Sequence, residues 1–365
     1  MTEREAEVLA LVARYPTMSQ QEMAKRLGIS RSSLAGHIMN LTRQGRIQGK
    51  GYIVAPKRYV VVVGGANMDI CGRARIPLSG ADSTPSDIFS GFGGVGRNIA
   101  ENLARLGTDC RLITAVGNDM WGDKILEHCR DLAINTEFSI TVKEASTSCF
   151  VSILDSDGEV SQAVNDMAVL DHLTPDALEK CHGVLSCASL IVVDANLSEA
   201  TLSWIFARYR DTPIFADPVS ATKCQKLKPH LGNIDTLKPN RAEAAMLAGI
   251  PEGQPGDLAG ISCEIHNLGV RHVVISLGRD GIWSSMDGNG VHIPAIEGNG
   301  ANVTGCGDAL MAGLVHARSN NWPREKTLQF AVAAASLARE ADTAVNPLIS
   351  ESSVFTCLKD ACNED

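Results

Sequence analysis

Residues 302–308, which read N-V-T-G-C-G-D, place small residues and a carboxylate directly before an apolar helical run. A glycine-rich turn that opens a helix offers unpaired backbone N–H groups and the positive end of the helix dipole, which favour a phosphate or a phosphoryl group in transfer. Asp308 ends the segment, where a carboxylate can accept a proton from a substrate hydroxyl. Loop and base are the minimum machinery of a small-molecule kinase, although a glycine turn capping a buried helix explains the same residues.

A second polar motif, G-A-N-M-D at 65–69, follows a β-branched run at 59–64. Open α/β sheets bind ligands at the carboxyl ends of their strands. Asn67 and Asp69 are therefore candidates for binding sugar hydroxyls, because one carboxylate accepts from two adjacent OH groups. An Asx-type turn is the alternative interpretation of the same pair.

Residues 91–98, G-F-G-G-V-G-R-N, hold four glycines within six positions and precede a helical pattern. This is more glycine than one turn needs, and it indicates a hinge or a backbone pressed against a ligand. A dinucleotide-binding loop is the weaker alternative, because no strand of a βαβ unit is predicted immediately before it.

Two further motifs could contact a nucleotide. In K-P-N-R-A-E at 238–243, Asn240 and Glu243 share a face at a helix start, where they could order the waters of Mg²⁺ near a triphosphate. A helix cap explains the same pair, and these residues alone favour the cap. The segment S-L-G-R-D-G at 276–281 ends a strand and is either a nucleotide-contact turn or an ordinary hairpin turn.

The elements that must position these motifs alternate between strands and helices. β-branched runs predict buried strands at 59–64, 190–194, 213–217 and 272–277, and helical patterns lie at 98–106, 201–208, 242–248 and 325–341. This alternation predicts a parallel sheet covered by helices. Residues 141–165 instead alternate apolar and polar, with a turn at 155–158, and predict an antiparallel hairpin in a small lid sheet.

The N-terminal segment differs in charge. Residues 1–58 hold ten Lys and Arg against four Asp and Glu, a balance of +6, whereas the remainder holds 23 against 38, a balance of −15. Residues 1–55, termed the head, predict three short helices, with N-caps at Ser19 (in a capping box with Glu22) and Ser30, and a left-handed cap at Gly28. A hairpin at 47–54, turning at 49–51, predicts a wing.

The head resembles winged helix-turn-helix domains, in which the first residues of the second motif helix reach base edges. We predict phosphate contacts from basic residues and base contacts from the first turns of the third helix. The first group is Arg31, Arg43, Arg46 and Lys50, and the second is Ser32, Ser33 and His37. A three-helix packing module with a solvated basic face is the alternative.

Composition excludes several classes of protein. No apolar run reaches the ~20 residues of a membrane helix, and the charged N-terminus lacks the apolar core of a signal peptide. Eleven cysteines without C-x-x-C pairs indicate reduced thiols, and the nine histidines show no metal-ligand spacing. We therefore expect a cytoplasmic protein without a membrane partner.

Taken in order, the motifs after residue 58 resemble the ribokinase (PfkB) family of sugar and nucleoside kinases. The most specific pair is G-G-V-G-R-N at 93–98 with N-V-T-G-C-G-D-A at 302–309. Strings such as V-N-D-M at 164–167 and F-A-D-P-V-S-A at 215–221 resemble the pseudouridine kinase branch. The resemblance implies a Rossmann-like three-layer αβα body at 59–365, a linker at 56–58, and a β lid from segments near 67–92 and 141–165.

The resemblance also implies ATP, Mg²⁺ and a role for each motif residue. Asp308 is the general base, and Gly305, Cys306 and Gly307 form the anion hole. Asn240 and Glu243 act on Mg²⁺ and phosphates. ATP contacts are implied for Lys238, Asn240, Ser276, Gly278 and Gly281. The ribosyl part of the substrate is held by Asn67, Asp69, Gly93, Gly94 and Asn98. Arg97 is implied to reach either the γ-phosphate or the lid, and Asn165 is implied to contact the base.

Two positions depart from the family pattern. Cys306 stands where the family usually has Ala, which adds a thiol to the loop. Asn302 stands where many members have Asp, near the monovalent-cation site of potassium-activated members. Potassium activation is therefore left open.

The expected function is ATP-dependent phosphorylation of the 5′-hydroxyl of a ribonucleoside, and pseudouridine is the expected substrate. We expect the protein to be a homodimer and its head to bind DNA. Two alternatives remain. One is a kinase for inosine, guanosine or a free sugar. The other is a transcriptional regulator whose kinase-like body senses a nucleoside, although a sensor does not need the base Asp308.

Overall fold

The structure is a computed structural model that describes residues 2–16, 18–48, 53–54, 59–78, 82–250, 256–297 and 303–363. The α-helices of these residues are α1 Glu3–Arg14, α2 Gln20–Arg26, α3 Arg31–Arg43, α4 Val95–Arg105, α5 Met120–Asp131, α6 Pro175–Glu179, α7 His182–Ser186, α8 Glu199–Arg208, α9 Arg241–Leu247, α10 Leu258–Asn267, α11 Cys306–Ser319, α12 Arg324–Ala338 and α13 Glu351–Asn363. The described residues also form 3-10 segments at Ala168–His172, Lys223–Asn233 and Gly278–Asp280.

The strands are β1 Ile47–Gln48, β2 Ile53–Val54, β3 Val60–Val63, β4 Asn67–Ala74, β5 Ser86–Gly93, β6 Cys110–Ile113, β7 Ala115–Gly117, β8 Ile140–Val142, β9 Cys149–Leu154, β10 Val160–Asp166, β11 Leu190–Asp194, β12 Ile214–Asp217, β13 Thr236–Leu237, β14 His272–Ser276, β15 Ile282–Met286 and β16 Asn289–Ile293.

The head forms the three helices and the short strand pair that its sequence predicts. α1, α2 and α3 enclose a small apolar core, and β1 pairs with β2 antiparallel, while the predicted wing turn lies outside the described residues. Ser30 caps α3 and Gly28 has a φ of 63° after α2. The predicted capping box of Ser19 with Glu22 is wrong, because Ser19 accepts from the Glu22 N–H but among the described residues no bond returns from the Glu22 side chain; within the head the two-way box forms at Thr2 and Glu5.

The main sheet of the body runs β16-β15-β14-β13-β12-β11-β3-β6. Neighbouring strands from β14 to β6 are parallel, as predicted, but β15 and β16 continue the sheet antiparallel, which the sequence did not predict. In β3, Val61 and Val63 face one apolar core and Val60 and Val62 the other. One core takes in α6 to α10 and the other α4 with α11 to α13, which gives three layers.

The lid sheet consists of β4, β5, β9 and β10, in the order β10-β9-β4-β5. The predicted hairpin is present as β9 and β10, which are antiparallel. The predicted lid segment near 141–165 was too long, because β8 pairs with β7 in a separate small sheet. The glycine-rich segment predicted as a loop also begins differently, since its first three residues end strand β5.

The turn after α3 contacts α7 of the body. The Ser186 hydroxyl donates to the Gln44 carbonyl at 2.9 Å, and the Cys187 thiol lies 2.6 Å from the Gly45 carbonyl. The linker predicted at 56–58 lies outside the described residues. Among the residues that are described, no helix has the length and apolar character needed to cross a bilayer.

Candidate active site

Asp308 lies in the first turn of α11, and the preceding backbone is fixed by Gly305. Gly305 has a φ of 81°, and a Cβ there would collide with the Ala344 carbonyl, so only glycine fits this turn. The first N–H groups of α11 therefore face outward from a glycine turn, as the anion-hole prediction requires. Asn302, on which the potassium prediction depends, lies outside the described residues.

The Asp308 carboxylate is buried and hydrogen-bonded. Asn98 Nδ2 donates to Asp308 Oδ2 at 2.7 Å, joining the start of α4 to the start of α11. Burial raises the pKa of Asp308 to about 7 and nearby Asp217 adds to the rise, whereas Asn98 and Lys238 oppose it. A carboxylate with a pKa near the working pH is suited to general-base catalysis.

Lys238 lies beside the anion-hole turn. Its Nζ is 3.2 Å from Asp217 Oδ2, and a Cβ placed on Gly307 would lie 3.0 Å from that Nζ. Burial would lower the pKa of Lys238, but Asp217, Asp308 and Glu243 outweigh it and raise the pKa. The ammonium therefore stays charged and close to where a transferred phosphoryl group would lie, which is consistent with the predicted ATP contact.

Cys306 begins α11 directly after the glycine turn. Burial raises the pKa of its thiol, so the side chain is neutral at pH 7. The thiol that departs from the family pattern thus adds no charge to the anion hole.

The predicted sugar-binding residues cluster at the end of the lid sheet nearest Asp308. Asn67 Nδ2 donates to Asp69 Oδ1 at 2.5 Å, and the Asp69 carboxylate lies against the Cα of Gly93. Burial raises the pKa of Asp69, opposed by Asn67 and Arg97. Gly94 has a φ of 97° and a Cβ there would lie 2.5 Å from the Gly65 carbonyl oxygen, so the two glycine segments touch.

Of the two alternatives predicted for Arg97, the γ-phosphate and the lid, the hydrogen bonds favour the lid, because they reach strand β5 of the lid sheet. Arg97 is 2% exposed and its guanidinium donates to the carbonyls of Phe92 and Gly93, to Asn98 Oδ1 and to Glu101. It fixes the end of β5 and orients Asn98. The i,i+4 spacing of Arg97 and Glu101 was a sequence signal for this pairing.

Glu101 is the acidic centre of a buried network that the sequence reasoning missed. Its carboxylate lies beside Arg97, Arg105 and His128. Burial alone would raise the pKa of Glu101, but those three partners hold it at about 2. The ionised carboxylate thus anchors α4, which carries Asn98.

Asp194, at the end of β11, is a second residue that the sequence reasoning missed. Its Oδ2 accepts from Gly65 N at 2.7 Å and from Gly96 N at 2.9 Å, so one carboxylate joins both glycine segments. Burial raises the pKa of Asp194 and these backbone donors oppose the rise. An acid at the end of an otherwise apolar strand was the signal available in the sequence.

Asn240 and Glu243 form the helix cap that was the alternative interpretation. Asn240 Oδ1 accepts from Glu243 N at 2.9 Å, and Glu243 Oε2 accepts from Asn240 N at 2.8 Å. Burial raises the pKa of Glu243. The described residues contain no cluster of three acidic, His or Cys side chains suited to a metal. The donor set therefore fits a Mg²⁺ held mainly by phosphates and water, as is usual for this ion, rather than a protein cage.

A cavity of about 420 Å³ lies between β14, the 3-10 turn after it and α11. Six of the predicted nucleotide and anion-hole residues line it: Asn240, Ser276, Gly278, Gly281, Cys306 and Gly307. Its other walls are apolar at Ile282, Ile296 and Val332, and basic at Arg279 and Arg339, two residues that the sequence reasoning did not assign. Apolar walls with two cations fit a nucleotide.

The predicted DNA-contact residues lie on and after α3. Arg31, Ser32, Ser33 and Arg43 are exposed, and His37 and Arg46 are half-buried, while Lys50 lies outside the described residues. Ser33 N donates to the cap residue Ser30. The exposed cations face solvent, as a phosphate-binding surface requires.

Comparison with known proteins agrees with this architecture. A model of the pfkB family carbohydrate kinases matches residues 57–351, and a winged helix-turn-helix DNA-binding model matches residues 1–48. An uncharacterised sugar kinase, YeiI, from Escherichia coli is 36% identical over 98% of this chain and 99% of its own. The pseudouridine kinase of Escherichia coli is 38% identical over 84% of this chain and 98% of its own.

Among solved structures, Arabidopsis thaliana ribokinase complexed with ribose and ATP superposes with a TM-score of 0.72 and 25% identity, covering 83% of this chain and 99% of that one. The family model spans most of the chain, and two relatives exceed 30% identity over most of its length. The chain is therefore a sugar or nucleoside kinase of the pfkB family, a phosphotransferase with an alcohol group as acceptor, and it carries an N-terminal winged helix-turn-helix domain.

Proposed function

We propose that this kinase phosphorylates the 5′-hydroxyl of a ribonucleoside and that pseudouridine is its preferred substrate. The observation that carries the proposal is Asp308, buried at the start of α11 with a pKa of about 7 and a hydrogen bond from Asn98. The 38% identity to a pseudouridine kinase, over nearly the whole of that protein, favours pseudouridine.

In the proposed reaction Asp308 accepts the proton of the 5′-hydroxyl while that oxygen attacks the γ-phosphorus of ATP in line with the departing ADP. The N–H groups at the start of α11 and the ammonium of Lys238 stabilise the charge on the transferred phosphoryl. Phosphoryl transfer depends mainly on such positioning and electrostatic stabilisation. Ribokinase-family kinases use ATP and Mg²⁺, and Mg²⁺, when bound, neutralises phosphate charge.

The remaining polar residues position the reactants. Asn67 and Asp69 hold ribose hydroxyls, since they are hydrogen-bonded to each other and Gly93 leaves the space that the Asp69 carboxylate occupies. Glu243, with one carboxylate oxygen used by the cap of α9, would hold Mg²⁺ through water. The lid sheet excludes water from the reacting groups when it covers the nucleoside.

The head binds DNA in this proposal. Support comes from the winged helix-turn-helix match, from the +6 balance of residues 1–58, and from the exposed side chains of Arg31 and Arg43 on α3. A kinase fused to such a head would control genes related to its own substrate.

A homodimer is also proposed, formed through the lid sheet. Ile88, Ile153 and Val164 are 68%, 40% and 66% exposed. Their register places all three on the sheet face opposite Asp69. Exposed aliphatic side chains on one sheet face favour a protein partner, and sedimentation velocity would measure whether the chain is dimeric.

The proposal is tested by ADP release from Mg-ATP with pseudouridine, uridine, inosine, guanosine, cytidine, adenosine and ribose. Preferred turnover of pseudouridine is expected. A sugar kinase is the second candidate, because YeiI is described as one, and preferred turnover of ribose would select it. Silence across all seven, with nucleoside binding still measurable, would support the sensor alternative.

A further inference from the structure

One register row of the lid sheet crosses all four strands. Asp69 on β4 pairs with Gly91 on β5 and with Phe150 on β9, and Phe150 pairs in turn with Asn165 on β10. Residues paired across neighbouring strands project from the same face of a sheet. Asp69, Phe150 and Asn165 therefore lie side by side on one face.

That face is the one turned toward the substrate end of the site. Asn67 and Asp69 are two residues apart and hydrogen-bonded, so they share it. The alternate residue Met68 projects from the opposite face, where it is buried with Val116 and Ile125. The body therefore covers the Met68 end of that face, Ile88, Ile153 and Val164 are exposed farther along it, and Asp69 projects from the other face.

Phe150 lies outside the apolar cores of the described residues. It is 38% exposed, and no aromatic ring of those residues stacks on it. Its register neighbour beyond Asp69 is Gly91, which has no side chain to fill the adjacent space. An open aromatic face beside the Asp69 carboxylate is therefore available to a ligand.

We infer that Phe150 stacks on the base of the substrate and so determines specificity for nucleosides over free sugars. The inference rests on the proposed function, in which Asp69 holds the ribose. A base attached to that ribose would then lie beside Phe150 and Asn165, the next residues of the same register row. Every nucleobase offers a π-face to an aromatic ring, whereas a free sugar has none.

The test compares kcat/KM for pseudouridine and for ribose in the full chain. Phe150→Ala should lower the pseudouridine value by roughly 5- to 100-fold, the range of one base–aromatic stack, and leave the ribose value within about twofold. Phe150→Trp should restore discrimination. Phe89→Ala is the matched control, because Phe89 is an exposed phenylalanine on the same face in the next row, and it should change neither value.

Equal losses of kcat/KM for both substrates in Phe150→Ala would overturn the inference, and so would the absence of any loss. A change in the oligomeric state of Phe150→Ala, measured by sedimentation, would also overturn it. Failure of the proposed function has a different signature, which is absence of nucleoside turnover in the wild type. Calorimetric binding of pseudouridine and ribose to wild type and Phe150→Ala then still decides the role of Phe150. A loss of affinity confined to pseudouridine upholds it, and equal affinities refute it.

Discussion

The active site of the body and the DNA-contact surface of the head use charge in opposite ways. In the body, Asp308, Lys238 and Asp194 are buried and tied to named partners. In the head, Arg31 and Arg43 are exposed on α3, with no ion pair among the described residues. One region fixes a few charges in place, and the other offers several to solvent.

This difference determines how each region responds to change. A buried charge is weakly screened, so its neighbours and its desolvation set its pKa, and removing it should act on one chemical step. An exposed cation acts through long-range attraction that salt screens, so its removal should weaken binding by small increments. The following variants should separate the two regions.

The largest effect is expected from Asp308→Asn. Loss of the general base should lower kcat by about two to four orders of magnitude, while pseudouridine binding and DNA binding persist. A coupled ADP assay and a DNA-binding titration on the same preparation measure both. Asp123→Asn, an exposed position on α5, is the matched control, and unchanged turnover in Asp308→Asn would remove the residue from the mechanism.

The second effect is on pH dependence. Asp308 must be ionised to accept a proton, so kcat/KM should fall as pH drops through about 7. Lys238 lowers the pKa of Asp308, so Lys238→Met should move this acid limb upward by about one unit or more and cut activity at pH 7 at least tenfold. Lys124→Met, an exposed lysine on α5, should leave the limb in place. If kcat/KM of Lys238→Met still fell at about pH 7, as in the wild type, the electrostatic account would be contradicted.

The third effect is on stability. The carboxyl of Asp308 has an ordinary pKa of 3.8 when unfolded and a raised pKa when folded, so the folded state binds the extra proton between these values and loses stability as pH rises through them. Asp308→Asn should therefore be more stable than wild type at pH 8, by about 1–4 kcal/mol, and nearly equal to it at pH 4. Urea titrations at both pH values measure this, and equal stabilities at pH 8 would count against a buried ionised Asp308.

The smallest effects are expected in the head. Arg31→Ala and Arg43→Ala should each weaken binding of the full chain to a mixed-sequence DNA duplex by about three- to tenfold and reduce the slope of log affinity against log salt by about one. Kinase activity should not change. Arg4→Ala is the control, since Arg4 lies on α1 in an ion pair with Glu7. Equal loss in the control would mean that the surface of α3 is not specifically involved.

Sequence reasoning succeeded where structure is encoded locally. The positions of the glycine turn before α11 and of the N-caps Ser19 and Ser30 were predicted, because each depends on one short segment, whereas the role of Asp308 stays a prediction. It failed where partners come from distant segments. Asp194 was missed because its partners Gly65 and Gly96 lie 129 and 98 residues away along the chain, whereas the pairing of Arg97 with Glu101 is local and was accessible from the sequence. Phe150 was overlooked because its neighbour Asp69 is set by strand register, which composition and periodicity do not fix.

The boundary of the sheet was missed for a related reason. The sequences of β15 and β16 are short and mix apolar with polar residues, so they do not stand out as strands. An alternation of strands and helices predicts only parallel neighbours, whereas these two strands are antiparallel. Asn240 and Glu243 were found in the sequence, but their role was ambiguous, because a helix cap and a ligand for metal-bound water need the same residue types. Only the hydrogen bonds in the structure identify the cap.

The central claim is that Asp308 activates a nucleoside 5′-hydroxyl, and the most direct test is the ³¹P NMR spectrum of the product formed from pseudouridine and Mg-ATP. The account predicts one new monoester resonance, split into a triplet by the two 5′-methylene protons, in the wild type and not in Asp308→Asn. A doublet from a 2′- or 3′-phosphate, or free phosphate without any ester, would contradict it.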